Sequence, residues 1–233
     1  MPKYFVRENM SLDKETEHHL KRVLRIRVGD KLTLCDGNGY DYHAIVDSLE
    51  PLSFEITAKE ECKTELDYKI TLYQALPKSD KLEWVIQKAV ELGVYSIVPV
   101  LTEHCDVRPN SKKLPRYQKI AEAAAGQGMR GIVPQINEAI TFERAIELVR
   151  NKNCDDCTMI TAHEKASTSI KSTIVNCKPK EIGLWVGPEG GFSSNEIDVM
   201  EQNGFKIVSL GKRILRTETA AITAMAMIQA VME

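Results

Sequence analysis

Two short stretches carry the residues best suited to chemistry. Gly187-Pro188-Glu189-Gly190-Gly191 sets three glycines and one proline in five positions, and Leu210-Gly211-Lys212-Arg213-Ile214-Leu215-Arg216 sets three cations in one loop. Glycines of this kind let backbone N–H and C=O groups come close to a bound molecule. Guanidinium groups beside such a seat stabilise negative charge on whatever binds or reacts there. Each stretch also has a plainer reading. The first fits a tight strand-to-helix turn, and either Arg213 or Arg216 could simply pair with Glu189 or Glu218. Glu189 could act on a ligand or merely order its own loop.

Both stretches need a strand before them and a helix after them. The spacing predicts a short apolar strand over 182–186, the glycine loop, then a helix opened by Ser193 with Glu196 three residues on, a capping-box pattern. Asn203-Gly204 stops it. A strand over 205–210 follows, then the cationic loop, with Thr217 expected to cap the last helix. In parallel α/β sheets ligands sit beyond the carboxyl ends of the strands, so two such loops from consecutive units would share one pocket. Upstream, strands at 68–75, 95–101 and 157–162 alternate with helices at 80–92, 114–127, 141–150 and 166–176, which implies a parallel sheet covered on both faces. The first 67 residues differ. Strands at 3–6, 31–35, 40–47 and 54–59, a helix at 13–24 and the turn Asp36-Gly37-Asn38-Gly39 make a small barrel. From Ala220 to Met232 the last helix is apolar almost all round; one side can pack on the sheet, and the other calls for a second copy of the chain.

Bulk properties exclude some classes. The 233 residues are 43% hydrophobic and 27% charged, ordinary values for a globular protein, with no apolar run of membrane-spanning length and no signal-peptide core near the first residue. A cytoplasmic location and six free cysteines are the expectation. Cys154 and Cys157 form a CxxC without a second ligand pair, so no metal site is expected. Neither G-x-G-x-x-G nor a P-loop is present. The net charge of −2 does not mark a nucleic-acid binder, yet residues 1–31 hold eight Lys/Arg against five acids, and the 212–216 loop adds three more cations. Such patches suit RNA phosphates, or are ordinary solvated faces.

The residues 184–196 (LWVGPEGGFSSNE) and 210–220 (LGKRILRTETA) resemble the signature segments of RsmE-type 16S rRNA uridine-N3 methyltransferases of the SPOUT superfamily. Residues 74–94, 117–134 and the N-terminal HHLKRVLRIRVGDKLTLCDG are similar too, so the likeness spans nearly the whole chain. It implies a PUA-like RNA-binding barrel over 1–67, an α/β SPOUT domain with a deep trefoil knot over 68–233, and S-adenosylmethionine (SAM) as cofactor. It places the cofactor against the backbone of Gly187, Leu210 and Leu215, with Glu189, Gly190, Gly191, Gly211, Thr219 and Ala220 around it and the strand end Thr161-Ala162-His163 as a third side. Methylation of uridine N3 requires loss of its proton, which spreads negative charge over N3, O2 and O4. Arg216 is then the group expected to activate the base and Arg213 to hold base or phosphate. Arg7, Arg22, Arg25, Gln127 and Arg130 are expected on the RNA, which is small-subunit rRNA presented on the assembled subunit. The chain departs from the family at His104, where an Arg is usual, and within 126–130. Another SPOUT activity, on a ribose 2′-hydroxyl or a tRNA base, and a non-catalytic RNA-binding assembly factor remain the alternatives. His163 follows a strand end near the expected pocket, but a lone His is more often structural than catalytic.

Overall fold

The computed structural model describes residues 3–7, 9–150, 156–175 and 178–233. They fall into two compact units, 1–65 with 122–133 and 66–121 with 134–233.

In the first unit, β1 (Tyr4–Phe5) leads into α1 (Lys14–His18), which starts where the Asp13 carboxylate accepts the Glu15 and Thr16 amides at 2.8 and 3.0 Å. A π-helical turn over His19–Leu24 continues it until Arg25 enters the left-handed region at φ 53°. β2 (Lys31–Cys35), β3 (Tyr40–Leu49) and β4 (Leu52–Glu61) complete a four-stranded sheet in the order β1-β2-β3-β4, with β1 parallel to β2 and the other pairings antiparallel. Alternation along these strands puts Leu32, Leu34, Ala44 and Val46 on one face, where they close over Leu20 and Val6. Residues 122–133 join this unit because Arg130, with a side chain 4% exposed, lies against the Glu65 carboxylate at 2.6 Å, and Glu65 also accepts the Gly131 and Ile132 amides.

The second unit is built on one sheet. β5 (Lys69–Ala75) is followed by α2 (Lys81–Glu91), β6 (Ser96–Leu101), α3 (Leu114–Gln127, of which 122–127 fall in the first unit), β7 (Gln135–Ile136), β8 (Ile140–Thr141) and α4 (Phe142–Arg150). Then come β9 (Cys157–Ala162), α5 (Ile170–Ile174), β10 (Glu181–Val186), α6 (Ser194–Gln202), β11 (Lys206–Val208) and α7 (Thr217–Met232). The sheet runs β11-β9-β10-β5-β6-β7, with β8 beside β6, and every pairing is parallel. β10 thus lies between β5 and β9, so the loops after β9, β10 and β11 open at one edge of the sheet. Its core on one face is aromatic. Trp185 stacks on its register partner Tyr73 at 4.3 Å and meets Phe142 and Phe205 at 6.1 and 5.3 Å. α7 packs on α2, α5 and β10. Its Ala221, Ala224, Met225 and Ile228 are buried, while Ala226, Met227 and Ala230 are exposed.

Several expectations shift in detail. The Ser193–Glu196 capping box is present, and Glu196 additionally accepts the Glu103 amide at 2.9 Å. Thr217 does not cap α7; Arg216 is the N-cap, without a side-chain bond. The strand expected over 205–210 is only three residues long, and α5 covers five. Cys35, Cys62 and Cys105 are free thiols, but Cys157 is disulfide-bonded, which corrects the reading of six free cysteines. Its CxxC partner Cys154 lies outside the described residues. No described helix is long and apolar enough to cross a membrane, and no group of three or more metal-binding side chains occurs among the described residues.

Candidate active site

At the carboxyl ends of β9, β10 and β11 a cavity of about 580 Å³ opens, lined by three chain segments and by His104. The first is Ala162 to Lys165, after β9. The second is Val186 to Ser194, the whole glycine loop. The third runs from Leu210 through Arg213 and Arg216 to Ala220, at the start of α7. The backbone here is bent in ways a side chain would resist. Gly191 and Gly211 sit at φ 70° and 117°, and a Cβ on either would point into open space. The loops therefore expose bare backbone, as a ligand held by main-chain groups requires. A volume of this size suits a nucleoside carrying an amino-acid tail.

A single hydroxyl ties the cavity together. Thr217 Oγ1 donates to the Gly187 carbonyl at 2.6 Å and accepts from Gln74 Nε2 at 2.9 Å. Gln74 is wholly buried at the end of β5, so the glycine loop, the first residue of α7 and the central sheet are bound to one another. His104, after β6, braces the same loop: its Nδ1 lies 3.1 Å from both the Gly190 and Gly191 carbonyls. Carbonyl oxygens only accept, so this ring nitrogen carries the proton. A Cβ on Gly190 would come within 3.1 Å of the His104 Cβ, which is why the loop can lie so close.

The charges are sorted. Lys81, at the start of α2, lies 2.7 Å from Glu189 Oε1 and 3.7 Å from Glu218 Oε2. The Lys78 amide also donates to Glu189 at 3.2 Å, while the Lys78 ammonium pairs with Asp106 at 2.6 Å. Burial alone would push the Glu189 carboxyl up, but hydrogen bonds from Lys81 and the backbone outweigh it and hold it below its usual value. The Glu189 contact raises Lys81, and the nearby positive charge of Arg216 works against that rise. Ser79, in the connecting turn, is held at φ 60°, a left-handed conformation uncommon outside glycine. Lys81 thus hydrogen-bonds Glu189 and stands near Glu218, whose buried Oε2 has no hydrogen-bond partner, and among the described residues neither acid pairs with an arginine. Arg213 and Arg216 line the cavity, exposed, with no side-chain ion pair or hydrogen bond among the described residues.

Similarity to known proteins decides what such a site belongs to. Residues 64–229 match the RNA methyltransferase domain model and residues 12–59 the RNA methyltransferase PUA domain model. The chain is 34% identical over 232 residues to ribosomal RNA small subunit methyltransferase E of Synechocystis sp., covering all of this chain and 76% of that one. It is 33% identical to the protein of the same name from Bacillus subtilis, covering 94% and 88%. The chain belongs to the ribosomal RNA small subunit methyltransferase E family. The Neisseria gonorrhoeae member, solved bound to S-adenosyl methionine, superposes with a TM-score of 0.88 over 99% of this chain and 97% of its own, at 34% identity.

Within this family member the residues expected at the cofactor divide. Ala162, Gly187, Glu189, Gly190, Gly191, Leu210, Gly211, Leu215 and Ala220 line the cavity together with both arginines. Thr161 and Thr219 do not. Thr161 is fully buried and its hydroxyl faces the Met200 sulfur at 3.2 Å, because alternation along β9 turns it into the core. Thr219 points outward from α7. Arg7, Arg22, Arg25 and Gln127 are exposed in the first unit, whereas Arg130 is buried there on Glu65 and acts as a brace rather than an open RNA contact. Lys81, His104 and Thr217 were not read as parts of the site. Their partners lie far along the chain, so no local pattern marks them.

Proposed function

We propose that this chain transfers a methyl group from SAM to N3 of a uridine in small-subunit rRNA, on the assembled subunit and in the cytoplasm. The observation that carries the reading is the convergence of the two glycine-bearing loops on one cavity whose two arginines have no ion-pair partner among the described residues. When bound, SAM supplies an activated methyl group attached to a sulfonium leaving group, so alignment and charge placement are the work left to the protein. The backbone around Gly187, Gly191, Leu210 and Leu215 holds the donor. Arg216 faces the base and stabilises the charge that N3 deprotonation spreads onto the carbonyl oxygens; Arg213 holds base or phosphate. Residues 68–233 carry the chemistry, with the last helix threaded as a trefoil knot, and 1–67 grip RNA through Arg7, Arg22 and Arg25. A second copy of the chain covers Ala226, Met227 and Ala230 on α7.

Nucleoside mass spectrometry tests this directly. Small-subunit rRNA particles from cells lacking the enzyme, incubated with purified protein and SAM, are expected to gain 3-methyluridine. A 2′-O-methylated nucleoside, or no SAM binding by calorimetry, would replace the reading with one of its alternatives.

A further inference from the structure

A second cavity, of about 400 Å³, opens at the carboxyl ends of β5 and β6. Leu76, Leu82 and Leu114 give it an apolar floor, and Tyr117, half-buried on α3, forms part of its wall. Arg108, Lys113, Asn137 and Glu138 also line it. The same turn serves both cavities: Leu76, Pro77 and Ser79 line this one, while Lys78 and Lys81 of that turn hold Glu189 at the other.

The flanking sequence is strongly basic. Arg108, Lys112, Lys113, Arg116 and Lys119 fall within twelve residues, with no acid between positions 107 and 121. Two of them are answered from α2 or its start, Lys113 by Asp80 at 3.1 Å and Arg116 by Glu83 at 2.6 Å. Arg108 and Lys112 are exposed and have no ion-pair partner among the described residues. A slot of nucleoside size with a leucine floor, a tyrosine on its lining and Arg108 there without an ion-pair partner among the described residues suits a splayed-out base and its phosphate, although Glu138 also lines it.

We propose that this cavity seats an unpaired base of the substrate RNA next to the reacting uridine, with Tyr117 as the stacking surface and Arg108 on the adjoining phosphate. The proposal rests on the rRNA methyltransferase reading above. It makes the turn 76–81 the shared wall between the methylated nucleotide and its neighbour, so the site reads a short strand rather than a single base.

Steady-state methylation of small-subunit particles by the full chain tests it, with Tyr117→Ala, Tyr117→Phe and Arg108→Glu compared with wild type. Tyr117→Ala and Arg108→Glu are expected to raise KM for the particle by about tenfold, the loss typical of one stacked base or phosphate contact, with kcat at saturating RNA and SAM affinity unchanged. Tyr117→Phe, which keeps the ring, is expected to behave as wild type. Arg108 is a surface residue, so its variant keeps the fold even where Tyr117→Ala is weakened. An unchanged KM in both Tyr117→Ala and Arg108→Glu, with an active wild type, overturns this assignment alone. A wild type that transfers no methyl group to the particle overturns the functional reading and this seat with it.

Discussion

Arg216 and Glu218 stand two residues apart at the start of α7, yet no ion pair joins them among the described residues; Lys81 lies 3.7 Å from Glu218 Oε2, close enough for charge attraction but too far for a hydrogen bond, which that buried oxygen lacks. Arg216 therefore stands at the cavity without an opposing carboxylate among the described residues. Arg216→Ala is expected to lower kcat by about a hundredfold, the scale of removing one preorganised charge-stabilising donor, while SAM binding persists; calorimetry and single-turnover methylation would check it. Lys81→Met should act at one remove. It releases Glu189 and Glu218 to neutralise Arg216, and kcat should fall by about tenfold, with partial recovery in the Lys81→Met/Glu218→Gln double variant; a loss that Glu218→Gln leaves untouched argues against the screening. Glu189 adds a pH signature. Its carboxyl is held below the ordinary 4.5, so its contact with Lys81 stabilises the fold above that value and is lost as pH falls through the lowered one. The stability difference between wild type and Glu189→Gln should shrink in melts taken from about pH 6 down to about pH 3.

At the scale of elements, the convergence of loops was legible because a parallel sheet leaves only one end at which consecutive strand-to-helix turns can meet. The capping box at Ser193 was legible too, since its two bonds join residues three apart. Thr217 was misread as a cap because its true partners, Gln74 and Gly187, lie 143 and 30 residues away. Arg130 was read as an open cation for the same reason: Glu65 is 65 residues distant, and the sequence around 130 says nothing of it. The basic run from Arg108 to Lys119 straddles a loop end and a helix start, so neither element's pattern sets it apart. These long-range ties have measurable weight. Thr217→Val removes both bonds of the hydroxyl and leaves the buried Gln74 amide nitrogen only its bond to the Ala75 carbonyl, beside an Oε1 that already lacks a partner; a loss of about 1–3 kcal/mol is expected in urea unfolding. Glu65→Ala leaves the buried Arg130 guanidinium without its carboxylate, and about 3 kcal/mol should be lost on the same measurement.

For the whole molecule, the exposed Ala226, Met227 and Ala230 of α7 argue for a second copy, and Met227→Glu should shift sedimentation toward the monomer at micromolar concentration, whereas an unchanged sedimentation coefficient would remove the helix from that interface. One further consequence follows from Thr217. The cavity opens at the ends of the central strands, but its clasp comes from the beginning of α7, and Leu210, Gly211, Arg213–Thr217 and Ala220 all contribute to its wall. During synthesis, then, the RNA-gripping unit and most of the sheet can emerge and settle while the donor seat does not yet exist. A product truncated before position 217 lacks the Thr217 clasp and the start of α7, and with them the donor seat.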